Sequence, residues 1–204
     1  MSKINLDEID SLHYDVLKEL GNIGAGNATT ALSQLLNMKL DMKVPKVDLV
    51  GFDKLASSIC DEEELVVAIY LMLEGDIEGS MMFMVEKKAA TCLVNQLMGR
   101  PVHDDRDFDE MDLSALQEIG NIITGAYLSS LSTLTRLTIA ASIPYMSIDM
   151  AAAILSVPAI EFGKIGDKAL LIETQFGDEV LINGYFILIP ELASYDKILA
   201  SLGL

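Results

Sequence analysis

The chain has 204 residues, with 14 Lys and Arg against 31 Asp and Glu, giving a formal net charge of −17. Nucleic acid and anionic membrane are poor partners for that surface, and no membrane insertion is expected: the longest uncharged apolar stretches, Leu65 to Leu73 and Met150 to Ile160, fall short of the roughly 20 residues of a spanning helix. Hydrophobic residues at 51% and charged residues at 22% supply a sizeable core and exclude a mainly disordered chain.

In chain order, a helix is expected from about Ser11 to Leu36, after Asp7, Glu8 and Asp10, which favour a helix start. Val44 to Val50 and Leu65 to Leu73 read as strands, and Ile77 to Val85 pairs back after the turn Glu74-Gly75-Asp76. Lys87 to Met98 closes this half as a helix. Arg100 to Asp109 is polar, acidic and carries Pro101, so it reads as a solvent-exposed linker. A second long helix is expected from about Asp112 to Leu134, followed by strands near Leu137 to Ile148, Ala169 to Phe176 and Val180 to Ile189. Ile148 to Leu155 reads as a short helix without a counterpart in the first half, with Asp149 able to act as its N-cap. A helical pattern from Lys197 to Gly203 closes the second half.

One unit is written twice. Glu19-Leu20-Gly21-Asn22-Ile23 recurs 99 residues later as Glu118-Ile119-Gly120-Asn121-Ile122, and at the same offset Leu32 matches Leu131, Leu35 matches Leu134 and Pro45 matches Pro144. Gly79 to Val85 then resembles Gly184 to Pro190, so the second half holds about five or six extra residues. The fold class expected is α/β of the α+β type. Pseudo-symmetric helix–strands–helix halves, 1–100 and 101–204, would form one largely antiparallel sheet covered by helices, in a single domain over 1–204.

At about 100° per residue, Asp15, Glu19, Asn22 and Gly26 fall within roughly 60° of one another on the first long helix. Ser114, Glu118, Asn121 and Gly125 occupy the same stripe on the second. On one helix these would pass as solvated polar residues. Asn and Gly are both poor helix-interior residues, Gly by about 1 kcal/mol relative to Ala, yet both recur at matching positions. Close approach by something is implied. The alternative is structural: glycines that let the long helices pack, and Asn side chains that bridge backbone groups.

Asp15, Glu19, Asn22 and Pro45 fit the pattern Asp or Ser, three residues, Glu, two residues, Asn, twenty-two residues, Pro; Ser114, Glu118, Asn121 and Pro144 fit it again. The chain thus resembles the CheC, CheX and FliY group of chemotaxis phosphatases, with general similarity over nearly its whole length. CheX-like members usually carry one intact motif, and FliY-like members add a C-terminal switch domain for which no residues remain after Leu204, so a CheC-type member is expected.

The resemblance implies dephosphorylation of the aspartyl phosphate of the response regulator CheY. Such an acyl phosphate is already activated, and CheY supplies its own Mg²⁺ and lysine, so no cofactor is expected in this chain; a partner need only position a water in line. Asn22 and Asn121 would orient that water without adding negative charge, while Glu19 and Glu118 would pair with the regulator's lysine. Asp15 and Ser114 would edge the contact, and Pro45 and Pro144 would shape the start of the nearby strand. The resemblance also implies the receptor deamidase CheD as a partner after the second motif. There Met150, Ile154 and Leu155 offer an apolar face with Asp149 at its edge; filling the core is the competing role for that helix. A non-enzymatic adaptor binding CheY or CheD is the alternative function.

Other signals carry less. Gly21 to Gly26 has the order GxxGxG within a helical pattern, unlike a dinucleotide loop that follows a strand. His13 and His103 lack Cys or His neighbours at ligand spacing. Cys60 and Cys92 lie outside any CxxC spacing and read as packing residues or inert thiols. Met81, Met82 and Met84 read as sheet packing. The N-terminus lacks a basic start and apolar stretch, so a cytoplasmic location is expected.

Overall fold

In the computed structural model, residues 10–102, 104, 106–162, 168–177 and 181–204 are described. Asp7, Glu8, His103 and Val180 lie outside them. Helix α1, Ser11–Leu36, begins where the Asp10 carboxylate accepts the His13 backbone N–H and ends at Asn37 in the left-handed region, φ 50°. Helix α4, Glu110–Thr135, begins on a capping box in which Asp109 and Asp112 each accept the other's backbone N–H. Both long helices place their apolar stripe on the sheet.

The strands are β1 (Asp41–Gly51), β2 (Leu65–Gly75), β3 (Gly79–Glu86), β4 (Ile139–Ala141), β5 (Tyr145–Met150), β6 (Lys168–Gly177) and β7 (Leu181–Pro190). They form one sheet in the order β1-β6-β7-β3-β2-β4, with β5 also on β2, and every pair is antiparallel. The halves meet at β3 and β7, where Met82 faces Ile187. Each half donates its leading strand region to the other: β1 pairs β6, and β4 and β5 pair β2. Such an exchange interlocks the repeat.

Both faces of the centre are covered, which is why β3 and β7 read as apolar runs without alternation. On one face α1 and α4, with α3 (Lys87–Leu97) and α6 (Leu192–Ser201), pack on residues such as Met81, Phe83 and Phe186. On the other, α2 (Phe52–Ile59) and α5 (Ala151–Phe162) cover Met82, Met84 and Ile187. The three methionines are fully inside, as the strand pattern predicts. Among the described residues, no helix is long and apolar enough to cross a membrane.

Three expectations are corrected. The stretch from Leu137 to Ile148 is two strands, because Ser142-Ile143-Pro144 interrupts it and proline has no N–H to give the ladder. Ile148 to Met150 belongs to β5, and the helix runs from Ala151 to Phe162. Asp149 is therefore no N-cap: it pairs with Val66 in the sheet, and the helix's first N–H groups, on Ala151 and Ala152, are taken by the carbonyls of Glu64 and Glu62. Nor is this helix without a counterpart, since α2 follows β1 as α5 follows β5. The eight residues of α2, flanked by apolar strand pattern, give too short a periodic signal to read locally.

Candidate functional site

Each long helix buries one side and presents its polar stripe on the other. On α1, Asp15 and Glu19 are exposed and Asn22 is half-buried; on α4, Ser114, Glu118 and Asn121 are all exposed. Among the described residues, no hydrogen bond or ion pair engages the side chains of Glu19, Asn22, Glu118 or Asn121. The bridging role that would make the asparagines structural is absent there. Asn27, one turn beyond the stripe, does have it: its amide donates to the Ile23 carbonyl and to Ser130 Oγ on α4.

The glycines divide by direction. A Cβ at Gly21 would come within 3.0 Å of Ile172 on β6, and one at Gly120 within 2.3 Å of Ile69 on β2, so the glycine before each Asn lets its helix approach the sheet. At Gly24 an added Cβ would lie 2.5 Å from the Tyr127 ring, which fixes where α1 and α4 cross. Gly125 meets nothing within 4 Å, leaving the stripe of α4 open to a partner. Close approach thus has two sources, and the fold itself is one.

Gly21 lies over β6 and Gly120 over β2, and these strands are three places apart in the sheet, about 14 Å at ordinary strand spacing. Each Glu–Asn set is brought together within itself; the two sets form separate places. The prolines differ in setting: Pro45 lies where the β1–β6 register shifts between Lys43 and Lys46, and Pro144 lies between β4 and β5. Asp149 is exposed on β5, remote from the stripe in the fold and beside exposed Tyr145 and Met150.

The supports of the two stripes were not legible in the motif. Tyr14 on α1 donates its hydroxyl to the Val47 carbonyl and to Asp48 Oδ1 at 2.7 Å, tying α1 to β1. Burial, then the Asp48 hydrogen bond, pushes that phenol up to about 12. On α4, Asp112 is 1% exposed and takes Arg100 at 2.6 Å and Arg106 at 2.8 Å. Burial works to raise its carboxyl. The Arg100 hydrogen bond, the Asp109 backbone N–H and the two arginine charges outweigh that and hold it below the ordinary carboxylate range. A pair of arginines in an otherwise acidic linker was the available signal. The linker is accordingly only partly exposed: Arg100, Arg106 and Phe108 are half-buried, and Asn95 donates to the Asp104 carbonyl.

Among the described residues, no group of three or more His, Cys, Asp or Glu side chains is placed to hold a metal ion. Burial and the neighbouring Glu86, Glu64 and Asp61 push the Cys60 thiol up, and burial does the same for Cys92, which disfavours thiolate chemistry. What each site presents is an exposed carboxylate with an amide one turn on, half-buried at Asn22 and exposed at Asn121. That arrangement can grip a cation on a partner and orient a water beside it.

Comparison with known proteins gives the family. The model of the CheC-like family matches residues 12–48, and that of the chemotaxis phosphatase CheX matches residues 67–160. The chain is 37% identical over 194 residues to the CheY-P phosphatase CheC of Bacillus subtilis, covering 93% of each chain. Its fold is similar to Thermotoga maritima FliY, with a TM-score of 0.76 at 23% identity over 95% of this chain and 99% of that one. It is also similar to the CheX–CheY–BeF3–Mg²⁺ complex from Borrelia burgdorferi, with a TM-score of 0.53 at 19% identity over 83% of this chain and 97% of that one. The chain belongs to the CheC-like family.

Proposed function

We propose that this chain is a phosphatase of phosphorylated CheY, with Asn22 and Asn121 each orienting the attacking water. The observation that carries the reading is the doubled stripe: in both copies a Glu and an Asn stand one turn apart, free of other partners among the described residues, on a helix face turned away from the core. Support for the substrate comes from the relative named a CheY-P phosphatase, which matches over 93% of this chain.

In the proposed step the water oxygen attacks phosphorus in line, the bond from phosphorus to the aspartyl oxygen breaks, and the carboxylate leaves as inorganic phosphate forms. The amide accepts a hydrogen bond from the water and adds no charge next to the phosphoryl oxygens. Glu19 and Glu118 fix the register by pairing with a lysine of CheY, and Asp15 and Ser114 sit at the edge of the contact. Mg²⁺ belongs to the CheY side of the complex; the CheX relative was crystallised with CheY, BeF3 and Mg²⁺. With a net charge of −17, long-range steering toward an acidic regulator is unfavourable, so recognition is local. A cytoplasmic location goes with this reading.

Mixing the purified chain with phosphorylated CheY should accelerate phosphate loss well beyond the regulator's own rate. Binding without acceleration would establish the adaptor in place of the enzyme.

CheD is the second partner we infer, docking along the β5 edge, which carries exposed Tyr145 at its start and exposed Asp149 and Met150 at its end. Asp149→Lys should abolish co-purification with CheD and spare phosphatase activity measured without it. Undiminished capture of CheD by the folded variant would move the contact elsewhere.

A further inference from the structure

The two stripes share a motif but not a foundation. At the repeat's offset Asp10 matches Asp109, and both are helix N-caps. Three residues on, His13 stands where α4 has Asp112. Among the described residues, the His13 ring pairs only with Asp10, at 2.5 Å, near the surface. Asp112 is buried and receives both arginines of the linker, one on Oδ1 at 2.6 Å and the other on Oδ2 at 2.8 Å, together with the Asp109 backbone N–H at 3.1 Å. Met1 and Asp7 occupy the offset positions of Arg100 and Arg106, so the first copy lacks the residue types for this clamp.

We propose that Arg100, Arg106 and Asp112 are positioning residues for the second site alone. A helix's first turn is its weakest, because its N–H groups lack intrahelical partners and it frays into solvent. Ser114 lies in the turn directly after Asp112, and Glu118 and Asn121 follow on the same stripe. Pinning Asp112 from two directions removes the fraying and sets the rotation of α4 about its axis. The clamp also fastens the linker to α3, where the Arg100 N–H reaches the Asn95 carbonyl at 2.8 Å. The first half's closing helix thereby helps to aim the second half's site. On α1 the corresponding hold is the Tyr14 hydroxyl on β1, which touches none of these residues.

The inference rests on the two-site reading above, so the test begins by isolating each site. Asn22→Ala leaves only the second site working and Asn121→Ala only the first; if the double variant keeps full activity, it is the two-site reading that has failed. Asp112→Asn and Arg106→Gln are then placed in each single-site background, and dephosphorylation of CheY is followed at 25 °C after circular dichroism has confirmed folding. Arg106→Gln keeps the Arg100 pair and guards against loss of fold. Both changes should lower turnover or raise KM at the second site on the order of tenfold and leave the first site within a factor of two. Arg106→Lys should restore part of the loss. Equal loss in both backgrounds, no loss in either, or a second site with no activity to position would overturn the proposal.

Discussion

Helices α1 and α4 are both 26 residues long and both start on an aspartate cap, yet they hold the same stripe in different ways. α1 is fastened by a phenol hydrogen-bonded to a strand of the sheet, α4 by a buried carboxylate between two arginines. Asn22 is half-buried where Asn121 is exposed, and a Cβ added at Gly26 would lie 3.6 Å from Met42 where one at Gly125 would meet open space. The Glu and the Asn that would touch the regulator are the same in both copies, and only the edge residue differs, Asp15 against Ser114. Their supports have diverged, because many packing solutions can hold one helix face toward a partner while few residue types can orient a water beside a phosphoryl group.

The comparison is broken hardest at Asp112. Its substitution by Asn removes the buried charge on which two half-buried arginines converge and leaves Arg106 only the exposed Asp109, a loss of about 1–3 kcal/mol. A group held below its ordinary range gives its stability above the unfolded value of 3.8 and loses it as pH falls through the folded value. The gap in melting temperature between wild type and Asp112→Asn should therefore be full above about pH 5 and shrink below 3.8. A gap that stays constant into acid would mean that the charge is not what holds α4.

A smaller effect is expected at the helix crossing, which only α1 supplies with a glycine. Gly24→Ala drives a methyl group into the Tyr127 ring, itself stacked on Phe186 with centroids 5.0 Å apart and unable to yield. Overpacking of about 1–3 kcal/mol outweighs the gain of about 1 kcal/mol from helix propensity, so calorimetry should show a melting temperature lower by a few degrees. Gly125→Ala should show the smallest change, a gain of up to about 1 kcal/mol. Its value is diagnostic: a more stable variant with a weaker second site would mean that the partner approaches the backbone there.

Much of this was legible in the sequence. Two 26-residue helices carry a long 3.6-residue period, and the repeat offset aligned their stripes before any contact was known. What stayed hidden was non-local. The exchange of β1 and β5 between halves leaves no local trace, since a strand's pattern does not say which neighbour it has. Asp149 read as a cap because an aspartate before an apolar run has that form, but the carbonyls of Glu62 and Glu64 already satisfy the helix start. Met150 looked like one end of an amphipathic helix and is the last residue of a strand. In the sequence Asp112 marks only the start of the second long helix, because only the fold brings Arg100 and Arg106 onto it.

The most direct measurement is the rate of CheY dephosphorylation by the double variant Asn22→Ala, Asn121→Ala. Both side chains project from helix faces outside the core, so the variant should melt within a few degrees of wild type, a change of about 0.5 kcal/mol. Its phosphatase activity should fall to the regulator's own rate, with each single variant keeping part of the wild-type activity. A folded double variant that still accelerates phosphate loss would contradict the assignment of the two asparagines as the water-orienting residues.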